Sequence, residues 1–248
     1  MKMIKIFGHK SPDTDSTGSP IIWAWYLSTM CGLEAEAKLL GEPNTEATFV
    51  LDYWKVKKPE IIEEVSPNDK IVIVDTNNPS ELPQSVINAD IIEIIDHHLL
   101  VGGLKTKSPL KVTIRPLACT ATIMFDLMGK DTEKMPNSIK GLMLSCILSD
   151  TLEFRSPTTT KYDKEVALSL AKDLDQKESG RANMAILKSR FGIDGIVFTD
   201  VLFNNATIQI EIEEGKTLKL TSKDMNRLMF SKSDASKLIN KAINKCDT

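Results

Sequence analysis

The stretch Ile71-Val72-Ile73-Val74-Asp75 decides the fold. Four consecutive β-branched apolar residues closing on a carboxylate leave no polar face for water, so the segment reads as a short strand buried on both sides of a parallel sheet. Residues 3–7 (M-I-K-I-F) and 91–95 (I-I-E-I-I) read the same way, and each run ends at a Gly, Asp or His. Around them lie helical patterns over residues 19–30, 45–53, 120–128, 139–148 and 162–174. Strands alternating with helices predict an α/β fold, a mainly parallel sheet with helices on both faces. The polar, aperiodic stretch 175–181 (D-Q-K-E-S-G-R) is the expected linker. It divides a first domain, 1–175, from a smaller, shortened α/β domain over 182–248. That second part is read as a helix at 182–188, a strand at 206–212 and a basic helical tail at 233–245.

The 248 residues are 42% hydrophobic and 26% charged, with a formal net charge of −3 and a pI near 5.7. This composition excludes a disordered tail, a fibrous repeat and a strongly basic nucleic-acid binder. No apolar run approaches the roughly 18–20 residues of a membrane span, and residues 1–6 lead directly into the first strand and not into a cleavable signal, so the expected location is cytoplasmic. Cys31, Cys119, Cys146 and Cys246 are widely spaced without a C-x-x-C pair. They suggest neither a disulfide framework nor a thiolate zinc site, and are expected to be buried small hydrophobes. After residue 175 there are 12 basic and 9 acidic residues, leaving 19 and 25 before it. An acidic first part and a basic second part fit two regions serving one site, and equally fit a drift of surface charge.

All three histidines follow strands: His9 after residues 3–7, and the pair His97-His98 after residues 91–95. The C-terminal edge of an open α/β sheet is where ligands bind. Carboxylates surround them in sequence: Asp13 and Asp15, Asp75, Asp96, and Asp150 at the end of a helix. Carboxylates converging on one point repel unless cations hold them together. Imidazole with carboxylate and no thiolate suits Mn²⁺, Fe²⁺, Co²⁺ or Zn²⁺, and so many donors exceed the needs of one ion. Two ions about 3.5–4 Å apart would suit phosphoryl transfer to water. The plainer alternative makes Asp13 and Asp15 a helix cap and first-turn acid and Asp75 a turn residue, which leaves the histidines unexplained.

The motifs G-H-x-x-P-D-x-D-S (8–16), V-D-T-N-N-P (74–79), D-H-H (96–98), R-P-x-A-C-T-A-T (115–122) and L-S-D-T-L-x-F-x-S-P-T (148–158) resemble the DHH phosphoesterase superfamily. Within it they are most similar to family II inorganic pyrophosphatases, which depend on manganese or cobalt. The resemblance implies hydrolysis of inorganic pyrophosphate to two phosphates by a hydroxide bridging two divalent metals, with further Mg²⁺ arriving with substrate. It implies that His9, Asp13 and Asp75 bind one metal and Asp15, Asp75, His97 and Asp150 the other. It also implies that His98 is a donor or general acid at the leaving phosphate and that Asp96 orients a histidine. Thr76 stands where many members have a further histidine. A homodimer joined near residues 111–114 is implied as well, with no nucleic-acid or membrane partner.

The second domain departs from the family, being far shorter and lacking its late Ser-Arg-Lys signature. Lys188, Lys223 and Lys232 are the expected substrate-binding lysines, chosen by charge and context. Two alternatives follow from that shortening. One is a DHH phosphoesterase for a nucleotide or short oligonucleotide; the other is a metal-binding protein of weak activity.

Overall fold

The computed structural model describes residues 3–174 and the backbone strands β7 (Ile196–Val197), β8 (Ile208–Glu213) and β9 (Lys216–Leu220). The backbone divides into two compact units, Met1–Asp175 and Gln176–Thr248. In the second, β8 pairs antiparallel with both β7 and β9. The expected strand at 206–212 coincides with β8 from residue 208. The expected helices at 182–188 and 233–245, and Cys246, lie outside the described residues.

The first unit runs β1 (Ile4–Phe7), α1 (Thr14–Trp25), β2 (Ala35–Leu39), α2 (Thr45–Tyr53), β3 (Glu60–Ile61), β4 (Lys70–Val74), β5 (Asp90–Asp96), β6 (Lys111–Ile114), α3 (Thr120–Met128), α4 (Asn137–Asp150) and α5 (Lys161–Asp173). Six strands form one sheet in the order β3-β2-β1-β4-β5-β6, with every neighbouring pair parallel. The three runs read as doubly buried strands are β1, β4 and β5, the middle of this sheet. Helix α1 packs on β1, β2 and β4, and α3 on β5, while α2, α4 and α5 pack on those helices. The face bearing Phe7, Ile71 and Ile73 is covered instead by Val65 and by Leu82, Val86 and Ala89 of short 3-10 turns.

The chain leaves β1 toward β2 and β3 on one side, then returns to start β4, β5 and β6 on the other. The order therefore reverses between β1 and β4. In an open parallel sheet, the crevice at the strands' carboxyl ends is widest at such a reversal, and ligands bind there.

The first helix differs from its sequence reading. It begins at Thr14, five residues before the expected 19, and ends at Trp25, with a π-helical turn over Tyr26–Met30. Asp13 caps it by accepting from Ser16 N at 2.9 Å. Thr14, Asp15, Ser16 and Thr17 are polar and yet buried, so no apolar periodicity announces this turn, and Pro20 further masks it. Strand β2 (A-E-A-K-L) was not expected because its small and charged residues have weak strand propensity; flanking β1 supplies the pairing. Cys119 and Cys146 are buried as expected, but Cys31 is exposed just past the π-helical turn.

Candidate metal centre

The reversal point collects the chemistry. His9 lies past β1, Asp13 and Asp15 open α1, Asp75 ends β4, His97 and His98 follow β5, and Asp150 ends α4. Ligand-type atoms of His9, Asp13 and Asp75 all lie within 4.8 Å of one another, as do those of Asp15, His97 and Asp150, and those of Asp75, His97 and His98. Asp75 stands between the first two groups: its Oδ2 is 3.6 Å from His9 Nε2 and its Oδ1 is 3.3 Å from His97 Nε2. It reaches that position with φ of +59°, in the left-handed region that a non-glycine residue seldom adopts outside constrained sites.

Two close approaches bring these elements together. A Cβ on Gly8 would sit 2.0 Å from Ser16 Oγ and 2.9 Å from Ser16 O, and Ser16 Oγ accepts instead from His9 N at 2.8 Å. That contact draws the end of β1 onto the first turn of α1. A Cβ on Gly18 would sit 2.4 Å from Cys146 Sγ, so α1 and α4 meet only because residue 18 has no side chain.

Carbonyl oxygens only accept, so the backbone oxygens beside the histidines define their tautomers. Nδ1–H of His9 donates to Lys10 O at 2.7 Å and that of His97 to Leu117 O at 3.2 Å. Both Nε2 lone pairs are thereby left facing the carboxylates, the arrangement a metal-ligating imidazole adopts. His98 also engages an oxygen through Nδ1, but that oxygen belongs to a carboxylate, Asp96 Oδ1 at 2.9 Å, and half of its side chain is exposed. His9 and His97 turn Nε2 toward Asp75, whereas the atom of His98 nearest Asp75 is the same Nδ1 that Asp96 holds, 3.9 Å from Asp75 Oδ1.

The electrostatics point to cations. Burial, then the neighbouring Asp15 and Asp13 charges, push Asp75 well above the ordinary carboxylate range. Burial, then Asp15, Asp75 and Asp13, do the same to Asp150. Asp150 Oδ2 is enclosed without a hydrogen-bond partner among the described residues, and facing carboxylates can share only a proton or a cation. Burial pushes the Cys119 and Cys146 thiols up, with Asp15 and Asp150 adding to it, so they stay protonated and offer no thiolate. Imidazole and carboxylate donors without sulfur fit a divalent ion such as Mn²⁺.

The surrounding shell holds several residues to which sequence reading gave no role. Thr120 donates from Oγ1 to Asp75 Oδ1 at 3.1 Å and from its backbone N to Asp15 Oδ2 at 2.6 Å. Ser19 Oγ donates to Asp15 Oδ1 at 2.6 Å. Asn77, buried, donates to Asp96 Oδ2 at 2.6 Å and Leu99 O at 2.9 Å and accepts from Val101 N at 2.8 Å. Burial alone would raise Asp96, but the bonds from His98 and Asn77 outweigh it and hold it below the carboxylate range. The bond to Asp96 in turn raises His98 above its usual value against burial. Thr76 Oγ1 donates to Glu81 Oε2 at 2.5 Å and so turns away from a ligating role. Thr120 and Asn77 lie inside the quoted motifs, so their position in those motifs was the available signal. Lys188, Lys223 and Lys232 lie outside the described residues.

Residues 3–148 match the DHH family, N-terminal domain. The chain belongs to the DHH family. Within this family the chain is 36% identical over 192 residues to a Lactobacillus acidophilus protein assigned as a manganese-dependent inorganic pyrophosphatase, covering 76% of this chain and 60% of that protein. A Streptococcus thermophilus protein of the same assignment is 29% identical over 248 residues, covering 98% of this chain and 78% of the relative. Among solved structures, a Methanococcus jannaschii protein assigned to the family II inorganic pyrophosphatases superposes with a TM-score of 0.67 at 36% identity, covering 76% of this chain and 62% of that one. The chain thus matches about 60% of the length of the Lactobacillus protein. The family match runs from β1 into α4 and takes in His9, Asp13, Asp15, Asp75, His97 and His98.

Proposed function

We propose that this protein hydrolyses inorganic pyrophosphate to two phosphates. The observation that carries the reading is the pair of ligand groups meeting at Asp75, supported by similarity to proteins assigned that activity. His9, Asp13 and Asp75 would hold one divalent ion, and Asp15, Asp75, His97 and Asp150 a second, with Mn²⁺ or Co²⁺ as the resident metal and Mg²⁺ entering with substrate. When bound, such ions supply Lewis-acid charge to the phosphoryl oxygens and lower the pKa of an attacking water.

The chain's own residues divide the remaining work. Asp96 accepts from His98 Nδ1–H and favours the doubly protonated ring, whose Nε2–H would be the proton given to the departing phosphate, leaving neutral imidazole. A positioned acid of this kind contributes about 10²- to 10⁴-fold. Asn77 fixes Asp96 and the 99–101 backbone together, so the imidazole keeps one orientation. Lys188, Lys223 and Lys232 remain the proposed cationic partners of the substrate's phosphates. Strand β6, at the sheet edge with Val112 half exposed, supports a homodimer joined there. No helix among the described residues is long and apolar enough to cross a membrane.

The deciding experiment is phosphate release from pyrophosphate after incubation with Mn²⁺, with Mg²⁺ in the assay and an adenosine bisphosphate as control. Fast release confined to pyrophosphate is expected; His97→Ala should abolish it and weaken metal retention, whereas His98→Gln should lower it with metal still bound. Faster turnover of the nucleotide, or no turnover with two metals bound, refutes the reading in favour of another phosphoester or a binding role.

A further inference from the structure

Glu46 is a carboxylate buried to 3% exposure in the first turn of α2, outside every motif discussed above. Its Oε1 accepts from Thr14 Oγ1 at 2.7 Å and also from Ser149 Oγ. These two donors belong to different helices. Thr14 lies between Asp13 and Asp15 at the start of α1, and Ser149 directly precedes Asp150 at the end of α4. Both are buried, so water does not compete for either bond. The start of α2 is fixed to the same loop by Asn44 N donating to Pro12 O at 2.9 Å and by the Asn44 cap on Ala47 N. Placement in the first turn also favours a negative side chain there.

We propose that Glu46 is a positioning residue for the metal centre, one oxygen tying the turn that carries Asp13 and Asp15 to the turn that carries Asp150. This rests on the reading that those carboxylates hold divalent ions. Outer-shell groups that orient ligands commonly change metal affinity by about 10- to 100-fold when removed. The two helices are otherwise held by packing and by Cys146 Sγ donating to Thr14 O at 3.3 Å, and the Thr14–Glu46–Ser149 bridge joins the residues directly next to Asp15 and Asp150.

The test measures Mn²⁺ affinity of the full chain by calorimetry, together with urea unfolding of the chelated protein. Glu46→Ala is expected to bind Mn²⁺ about 10- to 100-fold more weakly. Glu46→Gln should stay within about threefold, because the amide oxygen has two lone pairs and can accept from both hydroxyls. Should Glu46→Ala fail to fold, Thr14→Val and Ser149→Ala each remove one arm and should each weaken Mn²⁺ binding. Wild-type affinity in folded Glu46→Ala, or in both single-arm variants, would overturn the proposal while leaving the metal site intact. Equal loss in Glu46→Gln and Glu46→Ala would overturn it in favour of the charge. A wild-type chain that binds no Mn²⁺ would overturn both the proposal and the functional reading beneath it.

Discussion

Replacing Gly18 with Ala tests how the site is assembled. The new Cβ would stand 2.4 Å from Cys146 Sγ and 3.3 Å and 3.4 Å from two carbons of Leu142. Non-bonded heavy atoms prefer about 3.5–4.0 Å, so the sulfur must retreat by more than about 1 Å or the helices must part. Overpacking of this kind costs about 1–3 kcal/mol. Alanine recovers about 1 kcal/mol over glycine within a helix. The steric cost disappears once Sγ is removed, since the remaining contacts are those with Leu142. Gly18→Ala should therefore be neutral or stabilising in a Cys146→Ala background and destabilising in the wild type. The coupling between the two sites should be about 1–3 kcal/mol. Urea unfolding of the four chelated proteins measures it. The same displacement moves α4, and Asp150 with it, away from Asp15, so Mn²⁺ affinity should fall in Gly18→Ala and return in the double variant. A coupling below about 0.5 kcal/mol, within ordinary additivity error, would refute the claim that the glycine sets the approach of α1 to α4.

Three further outcomes are expected. Asp150→Asn keeps the side chain's shape and removes its repulsion with Asp15, Asp75 and Asp13, so the chelated variant should be more stable than chelated wild type by about 1–3 kcal/mol and gain less from Mn²⁺. The folded state holds the Asp75 and Asp150 protons more tightly than the unfolded chain, so chelated wild type should lose stability as pH rises above the ordinary carboxylate range, and Asp150→Asn should lose less; an identical pH profile in thermal scans would count against the carboxylate cluster. Asp163, fully buried, accepts from Thr160 N at 2.8 Å, Thr160 Oγ1 at 2.6 Å and Ala118 N at 3.2 Å, joining the α5 capping box to the loop before Thr120. Asp163→Ala should cost about 2–4 kcal/mol in chemical denaturation, from the lost reciprocal half of the capping box and an orphaned buried N–H at Ala118; a cost under about 1 kcal/mol would show the loop is held elsewhere.

The amino-acid sequence by itself determined the α/β class, the central strands and the ligand-type residues. The uninterrupted Ile and Val run at 71–74 is legible because burial on both faces disfavours polar side chains, 91–95 reads alike although Glu93 interrupts it, and histidines at strand ends stand out because only three exist. Tertiary structure alone decided the rest. The buried polar turn at Thr14–Thr17 has no periodicity to read, since its burial comes from α4 and α2 closing over it. Strand β2 exists through pairing with β1 and not through its own propensity. The histidine tautomers depend on carbonyls of Lys10 and Leu117, and the meeting of Asp15 with Asp150 depends on a helix contact 128 positions apart, from Gly18 to Cys146. A sequence names its donors residue by residue, whereas their convergence is a property of distances between segments, which exist only once the sheet has brought β1 and β4 side by side.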